Sequence, residues 1–210
     1  MSKAILISIK PKWVAKILNG EKTLEIRKTC PEIFKRLKPY EGCDIDVYIY
    51  VTNSRKHYLV NRYVGVDNTG LQDYPYGYET VSKKPVWSYN GKVVAKFTLN
   101  MVEKIKYHFG YYDMGEWTES YILEKSCLTS EELDNYFKAS REYDGNKASK
   151  VYGYGWNIEN LEIFNKPKSL SQFLIPSHKV QGIDKDGSDK TFTILKPLDR
   201  APQSWCFVEL

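Results

Sequence analysis

Histidine and cysteine are scarce: 3 and 4 residues in a chain of 210. His57, His108 and His178 are scattered, and Cys30, Cys43, Cys127 and Cys206 show no C-x-x-C spacing. A zinc site of the usual nitrogen and sulfur ligands is therefore not expected, and neither is a cofactor. Without a secretory leader the thiols are expected to be reduced. No stretch approaches the roughly 20 apolar residues of a membrane-spanning helix, so the chain reads as cytoplasmic with no membrane partner. A phosphate-binding G-x-x-x-x-G-K loop, a dinucleotide-binding G-x-G-x-x-G and a G-x-S-x-G elbow are all missing, which removes three large enzyme classes. Internal repeats and low-complexity tracts are absent too.

What is present is a soluble-domain composition, 42% apolar and 27% charged, with 17 Tyr and 5 Trp. A chain of this length suits one domain carrying insertions and buries enough surface to fold without staples. Charge is uneven. Residues 1–40 hold ten Lys/Arg against three Asp/Glu, whereas 111–145 hold nine acids against three bases. A basic segment of that kind favours phosphate-bearing partners such as RNA or nucleotides, although a solvated basic surface has the same composition.

Along the chain, AILISI reads as a buried strand and PKWVAKILNG as a short amphipathic helix. Pro11 suits its first position and Gly20 its end. KTLEIR alternates, placing Leu24 and Ile26 on one side and Thr23, Glu25 and Arg27 on the other. CDIDVYIYVT and KVVAKFTLNMVEKIKY are strands, the second continuing through a bend. TSEELDNYF has the start signal of a helix near Thr129 or Ser130. KVYGYGWNIENLEIF is a strand with a glycine-marked break, SLSQFL a helical turn and QSWCFVEL a closing strand. Residues 53–91, including QDYPYGYE, read as an insertion with at most short elements. Residues 176–192 read as a loop, with 176–204 as a C-terminal extension. Strands outnumber helices without a regular β-α alternation, which predicts a mixed α+β fold with a curved or barrel-like sheet.

The stretch Gly20-x-Lys22-x-x-Glu25-x-Arg27, following a first strand and a short helix, resembles the signature of ASCH domains in the PUA-like superfamily. The resemblance covers residues 3–52 and 92–175 plus the last few residues. It implies a single domain over 1–210, a small curved mixed sheet or β-barrel with short flanking helices, and a cleft beside the signature. It further implies binding of RNA, nucleotides or modified nucleosides, and in some members hydrolysis without a cofactor, as in a ribonuclease or a nucleoside amidohydrolase. The amidohydrolase members carry Lys-x-x-Thr-x-Arg; here Glu25 stands where they have Thr, so that chemistry is not carried over. By the same placement Lys22, Glu25 and Glu124 are the candidate catalytic residues. Ser8, Lys10, Arg27, Tyr154 and Trp156 are the candidate substrate-binding residues.

Physical chemistry supplies a role for each. Lys22 and Arg27 can hold a phosphate or an anionic intermediate, and Glu25 can accept from a base amine or act as a general base. Gly153 and Gly155 between aromatics would let the backbone approach a planar ligand, with Trp156 stacking on it. Solvated lysines, a weak surface ion pair and core aromatics are the ordinary alternatives. Tyr74, Tyr76 and Tyr78 are candidates for a lid, and residues 70–89 for a protein-partner interface. That second role would suit a non-catalytic interaction factor of a mobile element.

Overall fold

The computed structural model describes residues 3–36, 43–62, 77–108, 111–138, 150–183 and 188–210. Tyr74 and Tyr76 lie outside them. Strand β1 (Lys3–Ile9) is buried from Ala4 onward and is central to a seven-stranded sheet. It pairs in parallel with β3 (Ile45–Val51) and antiparallel with β14 (Trp205–Glu209). Outward from β3 come β6 (Val93–Leu99) and β11 (Glu159–Lys168); outward from β14 come β12 (Leu174–Ile183) and β13 (Asp189–Pro197). A second sheet runs β2 (Leu24–Arg27), β10 (Lys150–Asn157), β7 (Val102–His108), β8 (Tyr111–Met114) and β9 (Trp117–Thr118).

The two sheets share chain at two corners. β6 passes into β7 through Asn100 and Met101, and β10 into β11 through Ile158. The architecture is thus α+β, mostly strand, with short helices. Among the described residues the sheets are open and no closed barrel forms, so the α+β expectation holds and the barrel-like one does not; two sheets sharing corners stand in its place.

Helix α1 (Pro11–Leu18) buries Val14, Ala15, Ile17 and Leu18 against the first core, as their spacing demands. Gly20 stands at φ 75°, a conformation that costs a side chain dearly, and it ends the helix at the predicted place. The chain then folds back so that the amides of Glu21 and Lys22 both donate to the Lys16 carbonyl, at 2.9 and 3.1 Å. Helix α2 (Glu32–Arg36) is a little over one turn. Helix α4 (Ser130–Phe137) starts with a complete capping box: Thr129 accepts from the Glu132 amide, and the Glu132 carboxylate accepts from the Thr129 amide. The helix preceding it, α3 (Glu119–Ser126), lacks a side-chain cap and ends on a left-handed Cys127 at φ 54°. It carries no sequence punctuation, which is why YILEKS is not legible as a helix.

Of the segment 176–192 expected to be a loop, residues 176–183 and 189–192 are strand. β12 and β13 form a regular hairpin from Leu174↔Pro197 to Ile183↔Asp189, bulged near Pro176. Both strands are largely solvent-exposed, so their polar composition reflects a two-stranded ribbon rather than irregular chain. The Phe192 ring lies over Gly182, where a Cβ would sit 2.9 Å from it. The 53–91 insertion contributes two short paired strands, β4 (Tyr58–Arg62) and β5 (Gly77–Val81). They dock on α1, where the Asn19 side chain both accepts from the Tyr78 amide and donates to its carbonyl, at 2.9 Å each. The aromatics Trp87, Tyr89 and Tyr78 then meet edge to face.

The glycines of YGYGW serve the core. A Cβ on Gly153 would stand 2.5 Å from the Phe137 ring and 2.6 Å from the Arg27 carbonyl, and one on Gly155 would collide with Met114. β10 uses them to lie close against β2 and its packing partners, not to admit a ligand. Gly153→Ala is expected to cost about 2 kcal/mol through overpacking, measured by urea unfolding. Full stability in that variant would mean that Phe137 yields freely.

Among the described residues no helix is long and apolar enough to cross a membrane.

Candidate functional site: a buried Lys–Glu–Arg network

β2 is only four residues long, yet all four of its residues are buried. Leu24 and Ile26 enter an apolar cluster with Ile105, Tyr112, Met114, Ile122, Leu133 and Phe137. Glu25 and Arg27 point to the other face, as the alternation predicts, and there they meet Lys22. The three residues are 7%, 8% and 3% exposed. Charged side chains are almost never that deep unless paired, so solvated decoration is excluded.

The pairing is continuous. The Lys22 ammonium lies 3.3 Å from Glu25 Oε2, and Arg27 Nη2 lies 2.9 Å from Glu25 Oε1. Lys22 also donates to the carbonyls of Leu24 (2.7 Å) and Ser126 (2.9 Å), locking the end of α3 to β2. Arg27 Nη2 donates to the Ser8 carbonyl (2.9 Å), and Nη1 reaches Ser204 Oγ at 3.4 Å. Burial pushes the Lys22 pKa down, opposed by the Glu25 charge beside it.

Aromatic rings surround the charges. Trp13 on α1 lies 5.7 Å from the Lys22 ammonium, within cation–π range. Trp156, directly across the ladder from Glu25, is completely buried and packs on Trp205 at 5.8 Å. Trp205 is in turn held by Thr29, whose hydroxyl accepts from its indole N–H at 3.1 Å. Tyr136 of α4 forms the outer edge and is 37% exposed. Burial raises its pKa, with Arg27 opposing and Glu25 reinforcing the rise, which places its phenol in the field of the network. Lys28 caps the same ring at 5.3 Å.

The candidate residues divide accordingly. Lys22, Glu25 and Arg27 come together, and Trp156 joins them as a buried wall rather than as an open stacking platform. Ser8 takes part through its carbonyl, and through its amide, which donates to the Ser204 carbonyl at 2.9 Å. Its hydroxyl is buried with no hydrogen-bond partner. Tyr154, opposite Arg27, is half-buried and faces Cys30 rather than the network. Lys10 is exposed, and its carbonyl receives the amides of Trp13 and Val14 at the start of α1. Glu124 does not belong: its side chain is 71% exposed and paired with Lys125. What that segment contributes is the Ser126 carbonyl two residues on. Helix geometry is the reason, since α3 points Glu124 outward while its last turn meets β2.

Sequence reasoning missed Trp13, Tyr136, Ser204 and Trp205. Trp13 carried a signal, an aromatic on a helix running directly into the signature. The other three arrive from elements distant in the chain, and no local pattern announces them.

A shallow polar depression of about 190 Å³ is lined by Thr23, Tyr121, Lys125, Asn157 and Glu159. It does not reach the charges. Among the described residues no group of His, Cys, Asp and Glu is arranged to hold a metal ion.

The fold and site define a mostly-strand α+β domain built round a buried Lys–Glu–Arg network. Comparison of the chain with family models, with curated proteins and with solved structures gave no match.

Proposed function

We propose that the chain is a PUA-like, ASCH-type binding protein for RNA, nucleotides or modified nucleosides, recognising its ligand where Arg27, Trp156 and Tyr136 meet. The observation that carries this reading is the buried network itself. Taking three charges out of water is expensive, and a same-sized apolar cluster would be as stable or more so. A network built from all the charged positions of one short signature is therefore better explained by recognition than by stability.

Binding is favoured over hydrolysis by how the groups are engaged. Both Glu25 oxygens face cations, and Lys22 spends its donors on Glu25 and two carbonyls. Neither is placed as a free base, and the second carboxylate expected at Glu124 is elsewhere. Exposed Lys10 and Lys28, and Lys12 beside its partner Glu132, would supply phosphate attraction around the site.

The test is titration of the full chain with short single-stranded RNA and a nucleoside panel, acylated nucleosides included, over a range of salt. Association that weakens with salt, and mass spectra showing no product, are expected. Product formation would move the chain to the hydrolases. Absence of any association at low salt would sink the reading.

A second reading, an interaction factor using the insertion, has one supporting observation: Trp87 is 54% exposed beside Tyr89. Deleting 70–89 is a poor probe, because it removes β5 and Tyr89, both part of the packed structure. Trp87→Ala is the clean probe, and under the leading reading it leaves RNA affinity unchanged.

A further inference from the structure

Within the network the carboxylate and carbonyl acceptors are engaged, whereas two N–H donors and the Ser8 hydroxyl, which can act either way, are left over. The Glu25 oxygens and the carbonyls of Ser8, Leu24 and Ser126 all receive N–H groups. Arg27 Nε and Trp156 Nε1, by contrast, are buried N–H donors with no hydrogen-bond partner. Leaving two such donors unpaired costs of the order of a few kcal/mol, so a native fold keeps them for a reason. They share a face of the sheet: Trp156 is paired with Glu25 and Tyr154 with Arg27, which puts Trp156 one diagonal step from Arg27. Two cations against one carboxylate also leave a single net positive charge.

We infer that this corner takes an oxygen acceptor of a planar base, namely a keto group of the uracil or guanine type, and discriminates against bases that present an amino group there. The inference rests on the nucleoside-binding reading above and deepens it. An amino group would set its own N–H against the donor-only groups of Arg27 and Trp156, with Glu25 committed on both oxygens and only the Ser8 hydroxyl able to receive it, whereas a keto oxygen can accept from all three. A phosphate oxygen has the right acceptor chemistry, but the completely buried Trp156 ring suits an uncharged carbonyl better than a hydrated phosphodiester. Trp13 and Tyr136 provide aromatic faces for the same planar ligand. Tyr136, the exposed edge of the network, is the side chain that moves aside on entry.

Isothermal titration of the full chain with uridine, guanosine, cytidine and adenosine, each with and without a 5′-phosphate, tests this directly. Keto bases are expected to bind at least about tenfold tighter than amino bases, the discrimination usual for one buried donor–acceptor mismatch. Trp156→Phe, which removes only the N–H from a ring of similar shape, is expected to erase most of the preference while retaining weaker binding. Its thermal melt confirms folding. Equal affinity for all four bases, or affinity that follows the 5′-phosphate regardless of base, would overturn the inference but leave the nucleoside-binding reading standing. So would a preference untouched by Trp156→Phe, since an internal water would then satisfy that donor. No binding by any of the eight ligands or by RNA would end both.

Discussion

Glu25→Gln is expected to destabilise the protein by about 3 kcal/mol or more at neutral pH, read as a lower urea midpoint with an unchanged slope. The wild-type carboxylate is the only anion between Lys22 and Arg27 in the described network, at 3.3 and 2.9 Å. Its neutral isostere leaves two buried cations facing each other. The pH dependence identifies the cause. Burial already holds the Lys22 pKa below its ordinary value of 10.5, and Glu25 works against that shift. With Glu25 neutralised the folded-state pKa drops further while the unfolded value stays put. The unfolded chain then binds the proton more readily, so stability rises with pH between the depressed folded value and 10.5. The penalty of the substitution should accordingly shrink as pH rises from the variant's depressed Lys22 value to the wild type's less depressed one, because Lys22 sheds its charge first in the variant. A penalty independent of pH would show that Lys22 is not the aggrieved partner. In the double variant Lys22→Met with Glu25→Gln, the cost should fall short of the sum of the two single costs by about 1 kcal/mol or more.

Arg27→Met is expected to produce the largest loss of binding, about thirtyfold or greater for RNA, together with a salt slope shallower by about one unit. The Arg27 side chain touches the opening strand, the signature and the C-terminal segment, through Ser8, Glu25 and Ser204. Arg27→Lys keeps the charge but not the planar fork, and it should recover the salt slope without recovering the affinity. That split separates recognition from general electrostatic attraction. Affinity unchanged in both variants, with folding intact, would place the ligand elsewhere. Because Arg27→Met also leaves Glu25 with one cation in place of two, affinities should be compared well below each variant's melting temperature.

These two residues also show how far the signature could be read in advance. The alternation of KTLEIR assigned Glu25 and Arg27 to one face, and the pairing of β2 with β10 places them there. Their depth could not be read, because a strand with a charged side normally turns that side to water. Here the ring of Trp156, the last turn of α3 and residues Ser204 and Trp205 close over it. The aromatic stretch YGYGW misled for a related reason. Glycine between aromatics can serve a ligand or a neighbouring strand, and only the positions of Phe137 and Met114 tell which. Glu124 shows the limit of placing a residue by approximate correspondence, for a shift of one or two positions on a helix turns a side chain from the site to solvent.

By itself the sequence determined what short-range chemistry can determine. Pro11 and Gly20 bracket α1, the Thr129–Glu132 capping box starts α4, period-two alternation marks β2, and apolar runs mark β1, β3 and β6. The hairpin of β12 and β13 escaped, since an exposed ribbon is held by backbone hydrogen bonds that polar side chains do not reveal. Tertiary structure alone decided that three signature charges become one buried network. Its carbonyls come from residues 8, 24 and 126 and its walls from residues 13, 136, 156 and 205. Desolvation is a property of what surrounds a group, and the groups that desolvate Lys22, Glu25 and Arg27 come from as far along the chain as Trp205.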